Sequence, residues 1–443
     1  MNSRNRAKVF FLFIGDVTVL YASLFITLVL RYAEDFYYQF TNYHALPFAV
    51  IFLLWIAVFY ISGIYDLKRL RNNLDFIKTL ALAIALNGIL TAIFFYFLPT
   101  TITPKTNLFI FTIIFALIEG IWRRAFNTFA AAGIAPNRVL LVGASTGTKE
   151  IAALISVNPQ FGYQIVSQLS EDTPRIETAV RDIIARHNVN VIVIPRHLKH
   201  NEAFARELYK LLGEGIEIRE LSNFYEMIMR KIPLSEVDET WFLEHITDRA
   251  RFYDQLKRAL EIVGAFVLQI ILLPIELCVA LAIKMTSQGP VIYTQTRVGK
   301  GGKKFTLYKF RTMRVDAEKN GAQWSETNDT RTTLIGNILR KTHIDELPQL
   351  INIMKGNLSF VGPRPERPEF TSVLKEKIPY FEIRNLVLPG VTGWAQINHS
   401  YNAPDADSHE KLQYDIYYIK NRSIILDLAI IIKTIRSFFV NSQ

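Results

Sequence analysis

The sequence predicts three units in series: an integral membrane bundle of α-helices, a Rossmann-like α/β domain facing the cytosol, and a second α/β-type domain entered through a helix that dips into one leaflet. Three observations carry this. Apolar residues make up half of the 443-residue chain, and they concentrate in the first 125 residues, in 259–283 and in 424–440. Cationic residues are plentiful in alternate loops between the first apolar stretches. Between 136 and 235, short apolar runs alternate with helical patterns. The boundaries that follow are 1–125 for the membrane bundle, 136–235 for the α/β domain, 236–256 for a linker, and 257–443 for the last domain, with the re-entrant helix at 259–283.

Four stretches form the bundle, at 9–30, 46–65, 75–98 and 107–122. About 20 helical residues cross the ~30 Å hydrocarbon layer. Arg4, Arg6 and Lys8 precede the first stretch, Lys68, Arg69 and Arg71 separate the second from the third, and Arg123 and Arg124 follow the fourth. The other two loops hold only Arg31 and Lys105 as cations. Positive charge stays on the cytoplasmic side, so both ends of the bundle are predicted inside. The first apolar run is too long for a signal-peptide core and no small-residue cleavage site follows it, which makes it a retained anchor. Glu119, in the fourth stretch, is either an intramembrane functional carboxylate or an interfacial partner of Arg123 four residues on.

In the α/β domain, Arg138 to Gly147 has the pattern of a buried strand turning into a helix. Strand-like runs recur at 163–169, 189–195 and 216–221, with helical stretches at 175–187 and 200–213. Gly143 and Gly147 begin a dinucleotide-type loop, but G-x-x-x-G is not the full G-x-G-x-x-G, and no acidic residue closes the next strand. A structural or regulatory role is the expectation here.

The net charge of +10 suits nucleic acid, anionic lipid or a phosphorylated substrate. With no zinc-finger spacing and no sustained Lys/Arg tract, nucleic acid is not an expected partner. Cys278 is the only cysteine, so no intramolecular disulfide forms, as suits domains in the cytosol. The 259–283 helix is long enough to span, yet both of its flanks are cationic: Arg249, Arg251, Lys257 and Arg258 before it, and Lys284, Arg297, Lys300, Lys303 and Lys304 after it. Both flanks therefore prefer the cytoplasm. Pro274 interrupts the helix and removes a backbone hydrogen bond, so a bent helix that enters and leaves one leaflet satisfies both facts.

Residues 285–443 are dense in side chains that bind phosphate. Lys309-Phe-Arg311-Thr-Met precedes Arg340-Lys-Thr-His-Ile-Asp345-Glu346-Leu-Pro-Gln, then Gly362-Pro-Arg364-Pro and Pro389-Gly-Val-Thr-Gly-Trp394-Ala-Gln. Adjacent carboxylates at Asp345 and Glu346 repel each other unless a cation or a reaction uses them. Mg2+ takes one or two carboxylates together with phosphate oxygens, and a carboxylate can attack phosphorus to form an acyl phosphate. Arg340 and Arg364 have the fork that neutralises phosphate, and Pro363 and Pro365 stiffen the backbone on either side of Arg364. Trp394 either stacks in a pocket or is core. The run from Ile424 to Val440, with Asp427, Lys433 and Arg436, is either a membrane-surface helix or a core-packing one.

These motifs, in this order over about 250–440, resemble those of the large monotopic phosphoglycosyl transferases, the bacterial polyprenyl-phosphate hexose-1-phosphate transferases that start exopolysaccharide and O-antigen assembly. The layout of four spans, a Rossmann-like domain and a monotopic catalytic domain with a proline-broken re-entrant helix (here at Pro274) is similar too. The resemblance implies a bacterial cytoplasmic-membrane enzyme with cytosolic domains that uses a UDP-sugar and polyprenyl phosphate. It implies Asp345 as a nucleophile that expels UMP and carries the phosphosugar, Glu346 as the Mg2+ ligand, and Arg340 and Arg364 as phosphate contacts. Lys309 and Arg311 would bind or frame the nucleotide, or else make surface salt bridges. Glu366, Arg367, Pro368 and the run from Tyr401 to Asp407 are candidate sugar determinants by proximity in sequence, and the family does not specify the sugar.

Two other functions compete. A membrane-bound nucleotide-sugar dehydratase needs a Tyr-x-x-x-Lys couple, and the one present, Tyr253 to Lys257, lies outside the α/β domain. A non-catalytic assembly scaffold would not need Arg340, Asp345, Glu346 and Arg364 together. The α/β domain, with no complete cofactor site, is expected to offer a surface for a homodimer.

Overall fold

The computed structural model describes residues 3–65, 72–97, 104–132, 136–199, 201–246, 251–287, 289–314, 317, 331–399 and 404–440. Lys68, Arg69, Arg71, Arg249 and Tyr401 lie outside them. The chain forms two compact units, Met1–Met229 and Arg230–Gln443.

In the first unit, helices Ser3–Tyr32, Ala45–Ile61, Leu74–Phe97 and Pro104–Ala132 stand where the four apolar stretches were expected. Among the described residues of the whole chain, three stretches are long and apolar enough to cross a membrane: Ala7–Ile61, Phe76–Tyr96 and Phe252–Thr286. The first contains two of the helices, joined through short 3-10, α and π helical segments at 33–44. Pro104–Ala132 is not among the three, and its sequence carries Glu119, Arg123 and Arg124.

Helices in lipid associate through packing and interhelical hydrogen bonds rather than through the hydrophobic effect. Both are present. Trp55 donates to Thr91 Oγ1 at 2.8 Å and meets the Phe115 ring edge-on, 4.9 Å between centroids. At Gly15 the Trp122 indole lies so near that a Cβ would stand 2.0 Å from its ring, so only glycine fits. Glu119 is fully buried and accepts from Arg123 Nε at 2.6 Å, which is the pairing expected at four-residue spacing. The environment differs from the interfacial one expected: Arg123 also pairs with Asp16 of the first helix and donates to the Ile64 carbonyl.

The α/β region is one parallel sheet of β1 (Asn137–Val142), β2 (Tyr163–Leu169), β3 (Val191–Ile194) and β4 (Glu217–Glu220), in the order β2-β1-β3-β4. β1 and β3 are apolar and buried throughout their centres, as strands covered on both faces must be. The sheet reverses direction of growth at β1, where a doubly wound fold has its ligand crevice. Gly143 opens the loop there with φ +112°, but the Glu171 carboxylate sits 2.8 Å from where its Cβ would be. Glu171 is itself paired with His197 at 2.8 Å. A carboxylate therefore lies beside this glycine turn.

The second unit begins inside the segment expected to end the α/β domain and form a linker. Ile232, Leu234, Trp241 and Phe242 pack with Leu374, Ile378, Phe381, Leu412 and Ile416 in one cluster. Burial of each such side chain contributes roughly 1.5–3 kcal/mol, so residues 232–242 are part of this domain's core. The long helix Arg251–Thr286 contains Pro274. Ala265 is buried beside Leu307, Leu350 and Ile353, and Ile283 beside Phe310 and Leu339, while Val263, Phe266, Ile270, Ile271 and Leu277 are exposed. One stripe of this helix thus meets protein along its whole length, and the rest presents bare apolar surface of the kind lipid covers. Two small sheets complete the unit: the antiparallel pair β5 (Ile292–Val298) and β6 (Lys304–Phe310), and the parallel pair β7 (Ser359–Val361) and β8 (Gly390–Thr392).

Candidate active site

The two adjacent carboxylates sit on a single 3-10 turn, Ile344–Glu346, which follows the helix Leu334–Lys341. Thr333 caps that helix by accepting from Gly336 N. Gly336 lies against the backbone of Thr312, where a Cβ would come within 2.0 Å of the carbonyl oxygen. This close approach brings the helix onto the end of β6, and Arg340 Nε donates to Thr312 Oγ1 at 3.1 Å. His343, in the left-handed region at φ 55°, turns the chain from the helix into the 3-10 turn.

Asp345 is 8% exposed, and Glu346 is slightly more open. Lys309, near the end of β6, donates to Glu346 Oε1 at 2.6 Å, and Arg364 Nη2 lies 3.6 Å from the same oxygen. Burial opposes the charge on both acids, yet the outcomes diverge. At Glu346, Lys309 and then Arg364 outweigh burial and bring the carboxyl down to about 2. At Asp345 burial prevails, with Glu346 adding to it, and the carboxyl is raised in spite of Lys309, His343 and Arg340. One turn therefore holds a carboxylate that its cations keep firmly anionic beside one that burial pushes toward its neutral form.

The glycine motifs explain how Arg364 is held. β7 and β8 approach so closely that a Cβ on Gly390 would stand 2.1 Å from Gly362 N, and one on Gly393 would stand 2.3 Å from Gly362 O. Gly362 N donates to Thr392 O and Gly390 N to Pro363 O, each at 2.9 Å. Three more bonds hold the following loop. Arg384 donates to Arg364 O at 2.8 Å, Arg297 to Pro365 O at 2.9 Å, and Val298 N to Glu366 O at 2.9 Å. Arg384 is in turn paired with the buried Asp415 at 3.0 Å; burial pushes that carboxyl up to about 6, against the pull of Arg384. The Arg364 side chain, 42% exposed, is left reachable.

Of the residues singled out in the sequence, Lys309, Arg340, Asp345, Glu346 and Arg364 come together. Arg311 does not. β6 ends at Phe310, and Arg311 turns away to donate to Pro290 O at 2.8 Å. The Tyr253/Lys257 couple is spent elsewhere, with Tyr253 on Asp427 at 2.6 Å and Lys257 on Val361 O at 2.7 Å. The C-terminal helix packs into the core through Ile430 beside Trp394 and Tyr418, while Ile425 and Leu428 stay exposed. Sequence reasoning missed the supports, namely Arg384, Asp415 and Asn352. The fully buried Asn352 donates to Thr306 O at 2.7 Å and accepts from Tyr308 N at 3.0 Å, tying β6 to helix Gln349–Lys355.

Among the described residues no three His, Cys, Asp or Glu side chains form a metal cage. A Mg2+ bound mainly through substrate phosphates needs none, since one or two carboxylates suffice. Glu346, anionic with Oε1 engaged by Lys309, fits that role.

A model of the bacterial sugar transferase family matches residues 252–441. The chain is 44% identical over 185 residues to the UDP-N-acetylgalactosamine-undecaprenyl-phosphate N-acetylgalactosaminephosphotransferase of Aeromonas hydrophila, covering 42% of this chain and 44% of that protein. It is 31% identical over 332 residues to the UDP-glucose:undecaprenyl-phosphate glucose-1-phosphate transferase of Xanthomonas campestris pv. campestris, covering 70% of this chain and 68% of that one. With the transferase of the same description from Klebsiella pneumoniae it shares 25% identity over 448 residues, covering 97% and 95%. The chain thus spans less than half the length of the Aeromonas relative and nearly all of the Klebsiella one. With its dyad, its arginine loop and a relative matched over two thirds of both chains, this chain belongs to the bacterial sugar transferase family.

Proposed function

We propose that this chain transfers a hexose-1-phosphate from a UDP-sugar to undecaprenyl phosphate, releasing UMP, as a first membrane step of exopolysaccharide or O-antigen synthesis. The observation that carries this reading is the Asp345–Glu346 turn, with Lys309 on Glu346 and Arg364 beside it and reachable. The relatives' names supply the substrate class. The Xanthomonas protein is described as acting from UDP-glucose to undecaprenyl phosphate and the Aeromonas protein from UDP-N-acetylgalactosamine, so the sugar itself is left open.

The reaction has two displacements at one phosphorus. An Asp345 carboxylate oxygen attacks the sugar-bearing phosphorus of the donor. The bond from that phosphorus to the bridging oxygen breaks, and UMP leaves with the electron pair. A phosphate oxygen of the lipid then attacks the same phosphorus, the acyl phosphate bond to Asp345 breaks, and a polyprenyl diphosphosugar is formed. Little solvation of Asp345 leaves its ionised form a stronger nucleophile. Arg364 and Arg340 meet the diphosphate as forks, and Lys309 holds Glu346 anionic. Mg2+, when bound at Glu346, supplies further neutralisation of the diphosphate.

The cationic flanks of the first spans support a cytosolic orientation in the bacterial cytoplasmic membrane. Re-entry of the 259–283 helix is supported by both of its halves packing on the same domain, Ala265 beside Leu307 and Ile283 beside Phe310. Cysteines placed at Leu256 and Lys284 in a Cys278→Ser background should react with an impermeant thiol reagent from one side of sealed vesicles only. Labelling from opposite sides would defeat re-entry.

UMP release from a panel of UDP-sugars, with and without undecaprenyl phosphate, tests the reaction. One sugar should give sustained release with lipid and about one UMP per protein without it. Glu346→Gln should raise the Mg2+ concentration needed for turnover. If no UDP-sugar releases UMP in either condition, the proposed reaction is wrong.

A further inference from the structure

Beneath the Arg364 loop lies a polar cluster that none of the phosphate-binding motifs includes. Lys257, in the first turns of the long membrane helix, has three hydrogen bond donors, and all three are used. They reach Val361 O at 2.7 Å, Tyr418 Oη at 2.8 Å and Asp427 Oδ2 at 2.9 Å. Tyr253 also donates to Asp427 Oδ2, at 2.6 Å, and the Tyr418 hydroxyl stands 2.9 Å from Asp427 Oδ1. One helical turn beyond Lys257, Glu261 accepts from Ser359 Oγ at 2.5 Å and from Phe360 N at 3.0 Å. Lys257, Glu261, Tyr418, Asp427 and Ser359 are all largely buried.

Every residue of β7 is thus gripped by the start of one helix, and β7 runs directly into Gly362, Pro363 and Arg364. Two of the three contacts are to backbone atoms, Phe360 N and Val361 O, and the third is to the Ser359 hydroxyl, so the grip sets where the strand lies. On both sides of Pro274 the same helix carries the apolar surface left bare for lipid.

We propose that Lys257 is a positioning residue which, with Glu261 and Asp427, ties the membrane helix to the Arg364 loop and so sets Arg364 against the donor phosphates. The inference rests on the transferase reading above. A misplacement of ~1 Å at a group aligning substrate can cost about 10²-fold in rate, and Lys257 holds Val361, the residue directly before the Gly362–Pro363 pair that leads into Arg364. Its loss is expected in turnover rather than in donor affinity.

The test uses the full chain in lipid nanodiscs. Lys257→Met is expected to lower kcat by about tenfold to a hundredfold with donor KM little changed, and Lys257→Arg to restore part of the rate. Combined with Arg364→Ala, Lys257→Met should add almost nothing, because both changes act through the same side chain. A readout independent of activity accompanies these. Amide hydrogen exchange over 360–364 should quicken in Lys257→Met and not in Arg364→Ala. If Lys257→Met does not fold, Tyr418→Phe, which removes one acceptor of the Lys257 ammonium, decides by the same readouts with a smaller change. Unchanged kcat and unchanged exchange overturn the proposal, as does a rate loss fully additive with Arg364→Ala. Should the wild-type chain release no UMP, the transferase reading fails, while quickened exchange over 360–364 still shows Lys257 holding the loop.

Discussion

Two clusters in this molecule pair two carboxylates with arginine, and they do different work. In the membrane bundle, Arg123 gives Nε to Glu119, Nη2 to Asp16 and Nη1 to the Ile64 carbonyl, and Trp122 donates to Asp16 at 3.0 Å. All three charged side chains are about fully buried. In the second unit, Asp345 and Glu346 stand among Lys309, Arg340 and Arg364, and Arg364 remains 42% exposed. The first cluster has more carboxylates than cations and no surface, so nothing can enter it. The second has more cations than carboxylates and an open side, which is what an incoming diphosphate requires. Two carboxylates and an arginine are therefore no sign of a catalytic site by themselves. Openness and the balance of charge decide.

The strongest way to break this contrast is at Asp345. Asp345→Asn keeps the shape and removes the attacking charge. UMP release without lipid and the phosphosugar label on the protein should both vanish, with turnover down on the order of 10³-fold or more. Retention of a sizeable fraction of activity, or UMP only in the presence of lipid, would favour direct displacement. Arg123→Met tests the other side. Removing one partner of a buried ionic cluster costs about 3–5 kcal/mol of stability, so thermal unfolding should come at clearly lower temperature. Turnover per folded molecule should hold, and a large loss of kcat with unchanged stability would give the membrane cluster a role in the chemistry.

The two clusters were not equally legible in the sequence. The Glu119–Arg123 pair could be seen from its four-residue spacing, but Asp16 joins it from a helix more than a hundred residues away, and no local pattern announces that contact. The candidate site was visible because its charged and proline residues fall in short motifs. Arg384, Asp415 and Asn352 were not visible, because they act on backbone carbonyls and on one another across the fold. The parallel α/β region was legible in its alternation of strands and helices, and its strand order was not, since any order satisfies the same alternation. The C-terminal helix was ambiguous for a similar reason. An amphipathic stripe does not say whether lipid or protein covers it, and the side bearing Asp427 meets protein through Tyr253, Lys257 and Tyr418, contacts no local pattern announces. Arg311 shares the strand-side spacing of Lys309, but the strand stops one residue short of it.

Arg364→Lys sharpens the open cluster itself. The charge stays, but the planar fork between Pro363 and Pro365 is lost. A fall in kcat/KM of about tenfold to a hundredfold is expected, comparable with the loss of a charge-assisted hydrogen bond of ~1.5–3 kcal/mol. Were Arg364 only a counter-ion for Glu346, the lysine variant would keep nearly full activity.

The smallest effect is a shift along the pH axis, and it separates the two neighbouring acids. On the proposed mechanism, attack requires Asp345 ionised. Burial raises its carboxyl above the usual aspartate value, so the rate should fall as pH drops through a limb lying above that value. Glu346, held at about 2, cannot produce such a limb. Lys309 is the largest influence opposing burial at both residues, so Lys309→Met should raise both carboxyls and carry the limb to higher pH. Lys309→Arg, which keeps the charge, should leave the limb near its original position even where the maximal rate drops. The measurement is kcat/KM against pH for the wild type and both variants at saturating Mg2+. A limb unmoved in Lys309→Met would mean that the titrating group is not on the Asp345 turn, and the assignment of nucleophile and ionic partner would have to be exchanged or abandoned.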